Sequence, residues 1–246
     1  MNGIRYLVNR VRGREMVVSV DLLGRPALIS VAARRELARV RSVSTEVDLL
    51  GRLLEHVEPD DVAYDIGANI GIVSLLLALH RDPGAGRVHA FEPEPVNFDR
   101  LRRNIELNDV ADRIVPQRLA LGAGQGEAEL FVRPGAGEGR HSLATAAGSR
   151  GSIRVPLDTI TGFARSSGEP PDLLKVDVEG AEGQVLEGLD GLLPVHRPRE
   201  LFIEIHPKGG GDAMPDGQPI HDWLAERGYD LSWERRERSR IQRHYR

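Results

Sequence analysis

Four short segments place acids, glycines and an imidazole where chemistry needs them. The first is Val62-Ala63-Tyr64-Asp65-Ile66-Gly67-Ala68-Asn69-Ile70-Gly71. An apolar run ends in a carboxylate, a glycine turn follows, and an apolar helix begins. Gly67 permits a tight turn and Gly71 permits close approach of backbone or ligand. The second is Glu92, which follows the apolar run Val88 to Phe91 and stands 27 residues after Asp65. The third is Leu173-Leu174-Lys175-Val176-Asp177-Val178-Glu179-Gly180-Ala181-Glu182, and the fourth is Leu201-Phe202-Ile203-Glu204-Ile205-His206. Side chains alternate along a strand, so Glu204 and His206 share one face.

The turn at Asp65 sits where an α/β sheet binds ligands, outside the carboxyl ends of its strands. A dinucleotide site there needs G-x-G-x-x-G and no acid against the pyrophosphate. Here Asn69 stands at the middle glycine and Asp65 is negative. A carboxylate about 4 Å from a phosphate repels it by about 4 kcal/mol at an effective dielectric near 20. The turn suits a ligand with cationic groups, and S-adenosylmethionine, with its sulfonium and ammonium, is one. Its carboxylate can meet the helix N-terminus, while Asp65 and Asn69 meet its cationic end.

Glu92 is then placed to accept the hydroxyls of a ribose. Asp177 stands at the height of the methyl group or its acceptor, with Glu179 on the following turn. Lys175, one of only two lysines, lies within a strand and needs an acidic partner there. Glu182 falls in a first helical turn, where an acid suits the helix dipole. His206 ends its strand and is the first choice for a general base, with Asp177 second. Asp177, Glu179, Glu204 and His206 also offer oxygens and one imidazole to a Mg²⁺-like ion, although a divalent metal is not expected.

The elements that position these groups alternate. Strands are expected at Val62 to Ile66, Val88 to Phe91, Ile114 to Leu119, Leu173 to Asp177, Leu201 to His206 and Tyr229 to Trp233. Helices are expected at Ile72 to His80, Pro95 to Asn108, Ala181 to Leu189 and Ile220 to Arg227. Strand–helix alternation implies parallel pairing with right-handed crossovers. Upstream, Met16 to Val20 and Ala27 to Val31 flank the turn Leu23-Gly24-Arg25-Pro26 and predict a hairpin. Thr45 is placed to cap a helix with an apolar stripe at Val47, Leu50, Leu53, Leu54 and Val57. Glu127 to Val132 and Ile153 to Leu157 read as strands around a Gly- and Ser-rich loop, 133–151. After Trp233 come six arginines and two glutamates, which predicts a solvated basic tail. The expected organisation is therefore an appendage at 1–43, a main domain at 44–234 and a tail at 235–246.

Composition narrows the function. The chain has 246 residues, no cysteine, 40% hydrophobic residues and a net charge of −4. These values exclude a disulfide scaffold, a thiolate metal site and a cysteine nucleophile, and give no global positive field to attract nucleic acid or a membrane. The longest apolar run, Ile72 to Leu79, is less than half of the roughly 20 residues a bilayer requires. Arg5, Arg10, Arg12 and Arg14 interrupt any signal-peptide core, so a cytoplasmic protein is expected.

Together the segments Asp65-Ile66-Gly67-Ala68-Asn69-Ile70-Gly71, Phe91-Glu92-Pro93, Lys175-Val176-Asp177-Val178-Glu179-Gly180-Ala181-Glu182 and Ile203-Glu204-Ile205-His206 resemble the FkbM family of S-adenosylmethionine-dependent methyltransferases. The likeness covers roughly residues 45–235, with weaker likeness at Leu119 to Gly126 and at Arg140-His141-Ser142-Leu143. The resemblance implies a class I, Rossmann-like α/β fold: a mostly parallel seven-stranded sheet with helices on both faces. It implies O-methylation of a small-molecule hydroxyl, such as that of a secondary metabolite or sugar. By the same likeness, Asp65, Gly67, Asn69 and Gly71 cradle the methionine end, Glu92 holds the ribose, and the Ala120-Leu121 backbone lies near adenine. Two other classes stay open at this point: an NAD-dependent oxidoreductase, which Asp65 and Asn69 disfavour, and a non-catalytic cofactor-binding module. A nucleic-acid methyltransferase is disfavoured because Pro170-Pro171-Asp172 precedes a strand instead of ending one.

Overall fold

A computed structural model of the chain describes residues 7–12, 15–31, 37, 40, 46–84, 86–132, 143, 151–206, 217–237 and 240–246. The expected cap Thr45, nearly all of the loop 133–151 up to residue 150, the Arg140-His141-Ser142 motif and the segment 207–216 lie outside the described residues.

Seven strands form the main sheet: β4 (Ala63–Ile66), β5 (Val88–Phe91), β6 (Ile114–Gln117), β10 (Leu173–Val176), β11 (Glu200–Ile205), β12 (Leu231–Arg236) and β13 (Ile241–Tyr245), in the order β12-β13-β11-β10-β4-β5-β6. All neighbours pair in parallel except those of β13, which is antiparallel to both β11 and β12. The central strands β4, β5 and β10 are buried at every position, as a parallel sheet covered on both faces requires.

Alternation sorts their side chains into two cores. Ala63, Val88, Ala90, Leu173 and Phe202 join one, with residues of α1 (Val47–His56), α2 (Ile72–Leu79) and α3 (Pro95–Leu107). Tyr64, Ile66, Phe91, Leu174, Val176 and Ile203 join the other. That core also holds residues of α4 (Ile160–Ser167), α5 (Glu182–Glu187) and α6 (Gln218–Glu226). The helices thus flank both faces of the sheet.

The N-terminal segment is more than the expected hairpin. β1 (Leu7–Arg12), β2 (Glu15–Leu22) and β3 (Arg25–Val31) make a three-stranded antiparallel sheet. Its turn holds Leu23 at φ 53° and Gly24 at φ 93°, the positive pair that matches strand twist in a tight hairpin. Val18, Val20, Leu22, Ala27, Ile29 and Val31 are fully buried in the same core as Leu50, Leu75 and Leu101. The backbone of β3 is met by Asn104 of α3 and by Asn108, which caps that helix: Asn104 Oδ1 accepts from Ser30 N and Asn108 Oδ1 accepts from Leu28 N, each at 2.8 Å. This segment is therefore built into the main domain.

The tail expected at 235–246 is corrected most sharply. Residues 241–245 are β13, an inner strand wedged between β11 and β12. Its polar residues do not make it a tail: Arg243 is buried in an ion pair with Glu234 at 2.8 Å, and His244, whose pKa burial lowers, is buried in a hydrogen bond with Glu200 at 2.5 Å. The strands expected at Glu127 and Ile153 form as β8 (Gly126–Val132) and β9 (Gly151–Asp158), an antiparallel pair joined by the short β7 (Ala120–Leu121) in a separate sheet. Among the described residues no helix is long and apolar enough to cross a membrane.

Candidate active site

The register sets the site. Ile66 pairs with Phe91 on one side and with Val176 on the other. The next residues of these three neighbouring strands are Gly67, Glu92 and Asp177. The glycine turn thus runs between two acids at one level of the sheet edge. Gly67 N donates to Phe91 O at 3.0 Å and Asp177 N donates to Ile66 O at 3.0 Å.

Glycine is required at position 67 by space as well as by angle. Its φ is +80°, and a Cβ there would stand 1.9 Å from Asp177 O. Asn69 follows in the left-handed region at φ 53°, which asparagine tolerates better than most residues. Its Oδ1 accepts from Ile70 N at 2.8 Å, and its own N donates to Glu92 Oε2 at 2.9 Å. Gly71, at φ +91°, opens α2, and a Cβ there would press on Leu101 Cδ1 at 2.5 Å.

Glu92 is almost fully buried. Its second oxygen accepts from Glu94 N at 2.9 Å. Burial pushes its pKa up to about 7, against the two backbone donors that favour the charge. Each of its oxygens carries one hydrogen bond and has a lone pair left for a hydroxyl. Close by, Asn97 is fully buried in the first turn of α3, and its side chain also favours the charged form of Glu92.

Asp65 lies beneath the turn rather than in it, with no exposure at all. Ser74 Oγ donates to its Oδ2 at 2.7 Å, and Lys175 Nζ stands 3.3 Å from its Oδ1. Direct contact with a bound ligand, the expectation for Asp65, does not fit this burial. Its charge reaches the crevice through Lys175, whose Nζ is also 3.7 Å from Asp177 Oδ2 and donates to Gly67 O at 3.4 Å. The acidic partner expected for Lys175 is present twice over. Burial works against its charge, but Asp65, Asp177 and Glu204 hold its pKa above the usual lysine value.

His206 is surrounded by carboxylates. Its Nδ1 is 2.9 Å from Glu182 Oε1, and its Nε2 is 3.5 Å from Glu204 Oε1 and 3.8 Å from both Asp177 Oδ1 and Glu179 Oε2. Burial opposes a charged ring, yet these four acids overcome it and push the pKa up to about 11. Burial also opposes ionisation of Glu204, but His206, Arg240 and Gln242 hold it well below the usual carboxylate range. Asp177 is shifted the other way: removal from water and the nearby Glu204 raise its pKa, against Lys175 and His206.

Donor atoms of Asp177, Glu179 and His206 lie within 4.8 Å of one another.

Residues 65–231 match the model of the methyltransferase FkbM domain. The chain belongs to the FkbM methyltransferase family. It is 33% identical over 187 residues to the hexuronic acid methyltransferase AglP of Haloferax volcanii, covering 76% of this chain and 73% of that one. It is 30% identical over 182 residues to the 31-O-demethyl-FK506 methyltransferase FkbM of Streptomyces tacrolimicus, covering 63% of this chain and 68% of that one. Among solved structures, an FkbM methyltransferase of Methylobacillus flagellatus superposes with a TM-score of 0.51 at 15% identity, over 88% of this chain and 56% of that one. That likeness supports the class I methyltransferase fold.

Of the residues expected at an FkbM site, Gly67, Asn69, Gly71, Glu92, Asp177, Glu179 and His206 gather at one sheet edge. Ala120 lies in β7, paired with Leu157, three residues past Gln117, whose carbonyl accepts from Glu92 N at 3.0 Å. Sequence reasoning gives Glu182 only a helix-dipole role and does not single out Ser74, Arg240 or Gln242. Ser74 had a signal, as the only hydroxyl in the apolar helix Ile72–Leu79. Arg240 had none, because its partner Glu204, met at 2.9 Å, is distant in sequence.

Proposed function

We propose that this FkbM-family chain transfers a methyl group from S-adenosylmethionine to a hydroxyl oxygen of a small molecule. The observation that carries the reading is the glycine turn set between Glu92 and Asp177 at the carboxyl edge of three adjacent parallel strands. Its acids suit a guest carrying a sulfonium, an ammonium and ribose hydroxyls, and disfavour a pyrophosphate. In this reading Glu92 accepts the ribose hydroxyls, Gly67, Asn69 and Gly71 shape the methionine end, and Asp177 borders the methyl group. Two relatives, a 31-O-demethyl-FK506 methyltransferase and a hexuronic acid methyltransferase, favour an oxygen acceptor.

The bound cofactor supplies an electrophilic methyl on sulfur. The chain supplies alignment and a place for the proton. Sequence alone ranks His206 ahead of Asp177 as base; the acids around His206 favour the opposite order. A ring held as imidazolium has no lone pair to offer. The raised pKa of Asp177 brings it nearer to neutrality, where proton transfer is efficient. Asp177 would take the hydroxyl proton of the acceptor, and S-adenosylmethionine, held by Glu92 and the Gly67–Gly71 turn, would supply the methyl group and keep the carbon–sulfur electron pair on sulfur. His206 Nε2–H donates a hydrogen bond to the acceptor oxygen.

Calorimetry with S-adenosylhomocysteine, beside NADH, tests the cofactor. Binding of the first alone is expected; binding of NADH alone overturns the reading. Tritiated-methyl transfer to a panel of glycosides, uronates and macrolide alcohols tests the acceptor class, and activity is expected to persist in chelator. With an acceptor found, Asp177→Asn is expected to lower kcat by about 10²–10⁴-fold, more than His206→Gln does.

A further inference from the structure

Glu182 opens α5, a helix of six residues, Glu182–Glu187. Its place in the first turn accounts for an acid but not for what the side chain does. The carboxylate turns back and away from the helix. Oε1 accepts from Gly180 N at 3.0 Å and faces His206 Nδ1 at 2.9 Å. Glu182 is 3% exposed, so water does not compete for this contact.

A carboxylate only accepts, so the proton between these atoms belongs to Nδ1. That bond fixes the plane of the ring. Nε2 is thereby aimed into the gap bordered by Asp177, Glu179 and Glu204. The same logic operates wherever a buried acid orients a histidine whose far nitrogen meets a reacting group.

We propose that Glu182 is a positioning residue for methyl transfer: it holds the His206 ring in the orientation that presents Nε2–H to the acceptor oxygen beside Asp177. The inference rests on the methyltransferase reading above. The charged groups around the ring are Asp177 and Glu179 from the segment after β10, Glu182 from α5 and Glu204 from β11. Behind them stand Lys175, against Asp177 at 3.7 Å, and Arg240, against Glu204 at 2.9 Å. A purely structural Glu182 would serve only the Gly180 amide.

The test compares wild type with Glu182→Gln, which keeps shape and acceptor but removes charge, and with Glu182→Ala. Long-range ¹H–¹⁵N spectra of histidine-labelled full-length protein follow the His206 ring through pH, and calorimetry follows S-adenosylhomocysteine binding. Wild type is expected to show both ring nitrogens protonated at pH 8. In Glu182→Gln the His206 midpoint should fall by at least about one pH unit, with S-adenosylhomocysteine affinity within about twofold. With an acceptor in hand, kcat of Glu182→Ala should fall about 10²-fold or more while KM changes little, and Glu182→Gln, which keeps the acceptor, should lose less. An unchanged His206 titration in Glu182→Gln overturns the proposal. So does a parallel loss of cofactor affinity, which marks a structural role. Failure of the wild type to bind S-adenosylhomocysteine sinks the methyltransferase reading instead, and the ring spectra stand apart from that result.

Discussion

Lys175 Nζ stands 3.3 Å from Asp65 Oδ1 across the registered pair of β10 and β4, where both residues are cut off from water. Neither charge could occupy its position alone, because an unpaired buried ion is costly. The pair ties the turn after β4 to the segment after β10, the two halves of the crevice.

Removing one member leaves the other uncompensated. Lys175→Met should cost about 3–5 kcal/mol in urea unfolding. The double variant Lys175→Met/Asp65→Asn should recover much of that, since its remaining polar group is neutral and Ser74 still meets it. Equal stability of the single and double variants would show that the pairing is not what holds these strands.

The two positive-φ glycines of the turn differ in what stands against them. A Cβ at Gly67 meets backbone, Asp177 O at 1.9 Å, whereas one at Gly71 meets the end of the Leu101 side chain at 2.5 Å. Backbone has less room to yield than a leucine methyl. Gly67→Ala should therefore abolish S-adenosylhomocysteine binding and lower the melting temperature more than Gly71→Ala does. Calorimetry and thermal unfolding of the two variants decide this.

Stability should depend on pH through Glu92 and His206 in a defined direction. The folded pKa of Glu92 is raised from 4.5 to about 7, so the folded chain holds this proton more tightly than the unfolded one. Its contribution is favourable below about pH 4.5 and is lost as pH rises to about 7, by up to about 3 kcal/mol. Glu92→Gln removes that loss and should flatten stability over this window. His206 is raised from 6.5 to about 11. Its contribution is complete below about pH 6.5 and fades as pH climbs through about 11. Urea unfolding at intervals between pH 4 and 10 reads both effects.

Deleting residues 240–246 should prevent folding. A solvated tail would be dispensable, but β13 is an inner strand whose loss separates β12 from the sheet and removes Arg240 and Gln242 from Glu204. Circular dichroism and solubility of the shortened chain test this. A soluble, cooperatively folding product contradicts the strand's place in the sheet.

Local sequence was enough to place the strand–turn–helix at Asp65, the acids at the ends of β5 and β10, and the alternation that makes the sheet parallel. Each depends on a few neighbouring residues: a glycine where φ is positive, an acid after an apolar run, a period of two or of 3.6. The family likeness rests on the same short segments. Burial and partnership are a different matter. Asp65 reads as a ligand contact and lies beneath the turn. His206 reads as a free base and is ringed by four acids. Arg240 and Arg243 read as a solvated tail and belong to an inner strand and its approach.

What the sequence determined by itself was the kind of crevice and which residues come to its edge, because those follow from contacts a few residues long. What only the tertiary structure decided was the charge state and orientation of those residues. Glu182, Glu204 and Arg240 meet around His206 through pairings between distant parts of the chain, and a side chain's pKa depends on such neighbours rather than on its own type.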